Sequence, residues 1–152
     1  LDPAAFDRLT EIARSVNQVL TDRAAACGLA HLDGKAEFVY HDGDIVLADV
    51  AGTMDENRFS LDGTQLSKEL VRQWYRENDP GWYEQVTGAK ERATAEGTAD
   101  WKQFVDREPK PLDPAVRELV EHMYMAAANR WLDRDVFDAP DLDSVVQEVT
   151  ER

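Results

Sequence analysis

The chain has one cysteine, Cys27, among its 152 residues. That excludes an internal disulfide framework and any zinc site built from several cysteines, and it suits a reducing cytosol. Long apolar runs are also lacking: none approaches the roughly 20 residues that span a bilayer. Leu1-Asp2-Pro3 has neither the basic start nor the apolar stretch of a signal peptide. Cations are scarce, with 17 Lys and Arg against 31 Asp and Glu and a formal charge of -14. Nucleic acid and anionic membrane are therefore disfavoured partners, because their phosphates would be repelled. No glycine-rich phosphate loop occurs; Gly52, Gly63, Gly81 and Gly88 stand isolated.

What is present suits a cytoplasmic globular chain. Hydrophobic residues make up 43%, enough to build a core at this length, and residues 1–152 read as a single domain. Acidic residues occur in every segment and most cations are arginine, a surface like that of proteins from salt-loving archaea, where salt screens self-repulsion. The chain lacks an initial methionine and opens straight into a helical pattern, so further residues upstream are expected.

Hydrophobic spacing predicts the elements. Phe6, Leu9, Ile12, Val16 and Val19 form one helical stripe between Asp2-Pro3 and Gly28, which should pack on a sheet. Two strand-like runs follow, Leu29 to Tyr40 and Asp44 to Val50, around His41-Asp42-Gly43, a hairpin signal. Ala51 to Gly63 is polar and reads as a loop. A helix is expected from a Ser67 cap, ending at Asn78-Asp79-Pro80-Gly81. Trp82 to Asp106 is poorly patterned, a short helix with an insertion, and Pro109-Lys110-Pro111 is a stiff connector. Asp113-Pro114 opens a helix whose inward residues are Val116, Leu119, Val120, Met123, Ala127 and Trp131. The acidic run from Asp133 to Asp143 reads as a solvated linker, and Leu142 to Val149 as a last helix. The fold class is α+β, an antiparallel sheet packed by helices.

The chemistry concentrates at Leu32-Asp33-Gly34-Lys35-Ala36-Glu37-Phe38 and Ile45-Val46-Leu47-Ala48-Asp49. Strand alternation would put Asp33, Lys35 and Glu37 on one face; a plain solvent-facing strand would do the same. A two-residue turn at Asp42-Gly43 would set Glu37 and Asp49 on opposite faces, whereas a three-residue loop would bring them together. Two carboxylates so placed repel unless a cation lies between them. Magnesium, bound by one or two carboxylates plus nucleotide phosphates, suits that position.

The order of these pieces resembles SAICAR synthetases. Leu32 to Phe38 is similar to the family's hydrophobic-Asp-x-Lys-hydrophobic-Glu-Phe-Gly, and Gly43 to Asp49 to its Gly-Glu-Ile-Val-Leu-x-Asp. Thr53-Met54-Asp55-Glu56-Asn57-Arg58-Phe59 resembles Thr-Pro-Asp-Ser-Ser-Arg-Phe. Ser67-Lys68-Glu69 with Arg72 and Trp74 resembles Asp-Lys-Gln-x-x-Arg-x-Trp, and Pro111-Leu112-Asp113-Pro114 the family's Pro-Leu-Pro. The sequence departs at Val39 for the signature's glycine, at Val50 for a frequent acid and at Ser67 for an aspartate.

The resemblance implies the C-terminal, kinase-like or ATP-grasp-like part of a ligase that joins L-aspartate to carboxyaminoimidazole ribonucleotide with ATP. It implies magnesium and ATP at Glu37 and Asp49, catalytic positions at Lys35 and Asp33, and substrate binding by Arg58, Lys68 and Arg72. It also implies an N-terminal lobe of the same enzyme as partner, and is compatible with a homo-oligomer. ATP would activate the imidazole carboxylate as an acyl phosphate before the amine displaces phosphate. Two alternatives stay open: a kinase of the inositol-phosphate type, in which Asp-x-Lys on a strand also precedes a metal aspartate, and a non-catalytic acidic oligomerisation module. Cys27, His31, His41 and His122 read as structural or surface residues, and the tryptophans as core or interface.

Overall fold

The computed structural model describes residues 2–151. It is α+β, as expected, and divides into two compact units, one of residues 2–68 and 119–151, the other Glu69–Glu118. The first contains helix α1 (Pro3–Ala26), strands β1 (Ala30–Gly34), β2 (Glu37–His41), β3 (Asp44–Ala48), β4 (Asn57–Leu61) and β5 (Thr64–Leu66), and helix α5 (Leu142–Thr150). The second holds α2 (Glu69–Asn78), α3 (Pro80–Glu96) and a 3-10 turn, Trp101–Phe104. The division falls inside α4 (Pro114–Leu132).

Local chemistry sets the helix ends. Asp2 accepts the Ala5 N–H at 2.7 Å, Pro3 occupies the first turn, and Gly28 takes φ 74 just beyond the Cys27 cap, the left-handed conformation that costs glycine little. Asp113 caps α4 through Ala115 N–H at 2.8 Å, and Pro114 is its first residue. The sequence stripe on α1 is only partly used. Ala24 is fully buried, whereas Phe6 and Val19 are 61% and 67% exposed, and α1 lies against β1 and β3.

The strands depart from expectation in two ways, and a third feature decides the hairpin register that the sequence left open. First, the run Leu29 to Tyr40 is not one strand. The backbone breaks at Lys35-Ala36, where the Lys35 N–H donates to the Glu56 carbonyl at 2.8 Å, and β1 and β2 enter different sheets. Second, the expected loop from Ala51 to Gly63 contains β4, the most buried strand. Only Arg58 of its five residues is exposed, while Asn57, Phe59, Ser60 and Leu61 are buried. Sheet order is β1-β4-β5, all antiparallel, with Asp33 opposite Arg58 and Gly34 opposite Asn57.

Third, the β2–β3 hairpin closes on two residues. His41 pairs with Asp44, and Glu37 with Ala48. Asp42 and Gly43 take φ 50 and 91, a turn whose twist matches that of the strands; Asp62 and Gly63 repeat it at φ 49 and 82 between β4 and β5. The three-residue loop that would have aligned Glu37 with Asp49 by alternation does not form.

The core of this first unit joins Ala24 and Leu29 to Phe59, Leu61 and Leu66 of β4 and β5. Leu119, Met123, Ala126 and Ala127 of α4, and Leu142, Val145 and Val146 of α5, complete it. In the unit Glu69–Glu118, α2 begins at Glu69, two residues beyond the expected Ser67 cap, because Ser67 sits at φ 111. Asp79 separates α2 from α3. Buried, it accepts from Arg107 and from the Lys110 N–H, so the stiff connector is tied to the helix junction. Most of the poorly patterned stretch Trp82 to Asp106 lies in the 17-residue α3, whose buried residues are Ala89 and Ala93, followed by the 3-10 turn.

Candidate functional site

Three candidate residues arise from one backbone feature, the approach of β1 and its exit to β4. Asp33 and Arg58 are register partners. The Arg58 Nε donates to Asp33 Oδ1 at 2.6 Å and its Nη2 to Oδ2, a two-point grip that suits the planar guanidinium fork. That hydrogen bond, reinforced by the guanidinium charge, holds the Asp33 carboxyl below the usual carboxylate range against the opposing effect of desolvation. Both side chains remain half exposed.

Beside them the chain passes through Gly34, where only hydrogen fits. A Cβ there would lie 1.9 Å from the Asn57 Oδ1. Asn57 is buried and bridges two elements, its Nδ2 donating to the Thr53 carbonyl at 3.3 Å. Its Oδ1, 3.1 Å from His31 Nε2, can only accept, so His31 donates there. The His31 Nδ1 then accepts from the Thr21 hydroxyl at 2.9 Å. His31 thus serves structure, fastening α1 to the Thr53–Arg58 segment.

Lys35 follows. Its ammonium pairs with Glu37 Oε1 and lies 3.8 Å from Glu56 Oε2. The hydrogen bond and charge of Glu37, then the charges of Glu56 and Asp49, raise the Lys35 pKa above its ordinary value. Glu37 and Glu56 thus flank one ammonium, a local excess of one negative charge. Asp49 lies beyond the end of β3 at φ 63, and its Oδ1 accepts the Val50 N–H at 2.8 Å. Residues outside the extended region are not bound by strand alternation, so the two-residue turn does not itself fix which way Asp49 points. Glu56 was not singled out from the sequence. Its place depends on the Lys35–Glu56 backbone bond, a non-local pairing without a local signal.

Lys68 also falls in this unit, and its Nζ donates to the Asp55 carbonyl at 2.8 Å. The Asp55 carboxylate accepts the Tyr124 hydroxyl of α4 at 2.9 Å. Tyr124 and Asp55 are among the residues lining a mainly apolar cleft of about 510 Å³, with Leu20, Phe59 and Trp131. Arg72 lies in the other unit, where it pairs with Glu69 at 3.4 Å. Among the described residues, no group of three His, Cys, Asp or Glu side chains is placed to hold a metal ion by itself.

The SAICAR synthetase family model matches residues 1–89, which contain all of these candidates except Tyr124. The chain belongs to the SAICAR synthetase family. A protein of Archaeoglobus fulgidus, named provisionally as a phosphoribosylaminoimidazole-succinocarboxamide synthase, is 37% identical over 152 residues, covering 99% of this chain and 43% of that protein. The phosphoribosylaminoimidazole-succinocarboxamide synthase of Thermoplasma acidophilum is 30% identical over 129 residues, covering 78% of the chain and 40% of that protein. That of Thermoplasma volcanium is 39% identical over 99 residues, 60% of the chain and 32% of that protein. The chain thus spans less than half the length of these SAICAR synthetase relatives. No solved structure matches it. Among the described residues, no helix is long and apolar enough to cross a membrane.

Proposed function

We propose that this chain carries the acidic, metal-binding part of an ATP-dependent ligase of purine biosynthesis, which condenses L-aspartate with carboxyaminoimidazole ribonucleotide. The single observation that carries the reading is the Lys35 ammonium, paired with Glu37 and 3.8 Å from Glu56, in a chain of the SAICAR synthetase family. One ammonium against two carboxylates leaves a net negative charge, and the donors are hard carboxylate oxygens, the chemistry magnesium takes when phosphates and water complete its shell. Glu37 and Asp49 would hold the ion. Bound there, magnesium neutralises charge on the phosphoryl oxygens of ATP.

The chain's own residues do the rest by position and charge. Lys35, kept protonated by its neighbours, offers an ammonium to oxygens that gain charge as the phosphoryl group passes to the substrate carboxylate. Arg58, aimed by Asp33, presents a fork to the ribonucleotide phosphate, so Asp33 acts as a positioning residue. Lys68 and Arg72 supply further cationic contacts to substrate. The nucleotide cradle belongs to an N-terminal lobe of the parent enzyme. Acyl phosphate formation releases ADP; attack by the aspartate amine then releases phosphate and forms the amide.

The test is an assay of the full-length parent with ATP, magnesium, aspartate and the ribonucleotide. Product and ADP should appear together, and only when both acceptor substrates are present. ADP release that ignores aspartate would instead favour a phosphotransferase of the inositol-phosphate kinase type. Full activity after Glu37→Ala and Asp49→Ala would leave the acidic cluster without a catalytic part.

A further inference from the structure

Three candidate residues of the first unit, Asp33, Lys35 and Lys68, meet one short segment that itself carries Arg58. Thr53 to Arg58 supplies the Glu56 carboxylate to Lys35, the Arg58 fork to Asp33, and the Asp55 carbonyl to Lys68. The backbone of this segment is held by its own turn bonds, by the Lys35 N–H on the Glu56 carbonyl and by the β1–β4 pairing of Asn57 and Arg58, and holding its side chains to within a fraction of an ångström needs side-chain anchors as well. Two such side-chain anchors are present. His31 holds the Asn57 amide from one side. On the other, Tyr124 donates its hydroxyl to the Asp55 carboxylate at 2.9 Å. Asp55 is thus gripped through its carboxylate and in turn accepts Lys68 through its carbonyl, so helix α4 and Lys68 are joined through one residue.

We infer that Tyr124 is a positioning residue that, through Asp55, sets the Thr53–Arg58 segment and Lys68 for binding the anionic substrate. The inference rests on the ligase reading for its substrate, but not for its geometry. Tyr124 is half-buried and lines the apolar cleft together with Gly52, Met54, Ala127 and Ala128. The ring therefore fixes where the hydroxyl stands, and the hydroxyl fixes Asp55. A charge-assisted hydrogen bond of this kind is stronger than a neutral one, and phenylalanine would keep the ring while deleting the bond to Asp55.

The experiment uses the full-length parent with Tyr124→Phe, Asp55→Ala and the double variant. The expected result is a rise of about tenfold in KM for the ribonucleotide in Y124F, with kcat within about twofold, the scale of one lost hydrogen bond to a charged group. D55A should raise it at least as much, and the double variant no further than D55A, because both act through one contact. Amide exchange should quicken in Y124F at residues 54–56 while the Tm stays close to wild type. An unchanged KM, or fully additive effects, overturns the inference, as does a uniform fall in Tm and kcat, which marks a purely structural tyrosine. If the wild-type parent forms no product, the ligase reading fails, and exchange at 54–56 then decides Tyr124: faster exchange confined to that segment supports it, and unaltered exchange overturns it.

Discussion

Asp33 and Arg58 face each other across β1 and β4, and the guanidinium of one grips both carboxylate oxygens of the other. An ammonium makes no such two-point contact. Arg58→Lys in the parent enzyme should therefore raise KM for the ribonucleotide about 10-fold or more, even though the charge is kept. Steady-state kinetics at fixed ATP and aspartate measure it, and a KM equal to wild type would remove Arg58 from substrate binding.

The same pair sets an acid limit. Arg58 lowers the Asp33 pKa in the folded chain, so the pair's contribution is present above the ordinary aspartate value near about 3.9. It is lost as pH falls through the lower, native value. Lys35 mirrors this at the alkaline end: its pKa is raised, chiefly by Glu37, so its contribution is complete below the ordinary lysine range and fades as pH climbs past it. Urea midpoints followed across pH should fall more steeply below pH of about 4 in wild type than in Asp33→Asn. Both pairs are exposed, so molar salt should shrink the difference. Superimposable acid limbs for the two proteins would contradict the assignment.

Two glycines separate steric conflict from backbone strain. At Gly34 an added methyl would lie 1.9 Å from the Asn57 Oδ1, while at Gly63 it meets nothing within 4 Å but must adopt φ 82. Gly34→Ala should cost roughly 2–3 kcal/mol, since it overpacks a buried amide and disturbs its bonds. Gly63→Ala should cost about 1 kcal/mol from conformation alone. Equal losses in chemical denaturation would refute the distinction.

Glu56 is the candidate that no motif marked. Glu56→Gln keeps size and hydrogen bonding but removes one of the two carboxylate charges beside Lys35. The magnesium concentration giving half-maximal activity of the parent should rise about 10-fold, the usual scale for outer partners of a metal site. An unmoved magnesium titration would confine Glu56 to holding the backbone.

What could be read from the sequence was whatever is encoded locally. The Asp2-Pro3 and Asp113-Pro114 helix starts, the Gly28 stop and the Asp42-Gly43 turn all depend on neighbouring residues, and all are found. Strand β4 was missed because Asn57, Arg58 and Ser60 are polar, although Asn57 and Ser60 are buried in the folded sheet and the Asn57 amide is bonded to His31 and the Thr53 carbonyl. Helix α3 was read as only a short helix with an insertion because its buried residues are alanines, too small to show as a stripe. At the site, the closeness of Lys35 and Glu37 was visible from their spacing. The Arg58–Asp33 grip, the approach of Glu56 and the Tyr124–Asp55 bond join distant segments, and nothing local announces them. The hairpin register was the choice left open, and the favoured twist of Asp-Gly decided for two residues.

The β2–β3 ribbon has a practical consequence. It pairs only with itself among the described residues, so the outer backbone of each strand is without a neighbour in the sheet, and Val39, Tyr40 and Val46 are 51%, 61% and 48% exposed. Such a flank is a template for any extended chain that drifts past. Concentrated solutions of these 152 residues would thus associate ribbon to ribbon, and the heavy negative charge of the chain, strongest in dilute buffer, is what would keep the molecules apart.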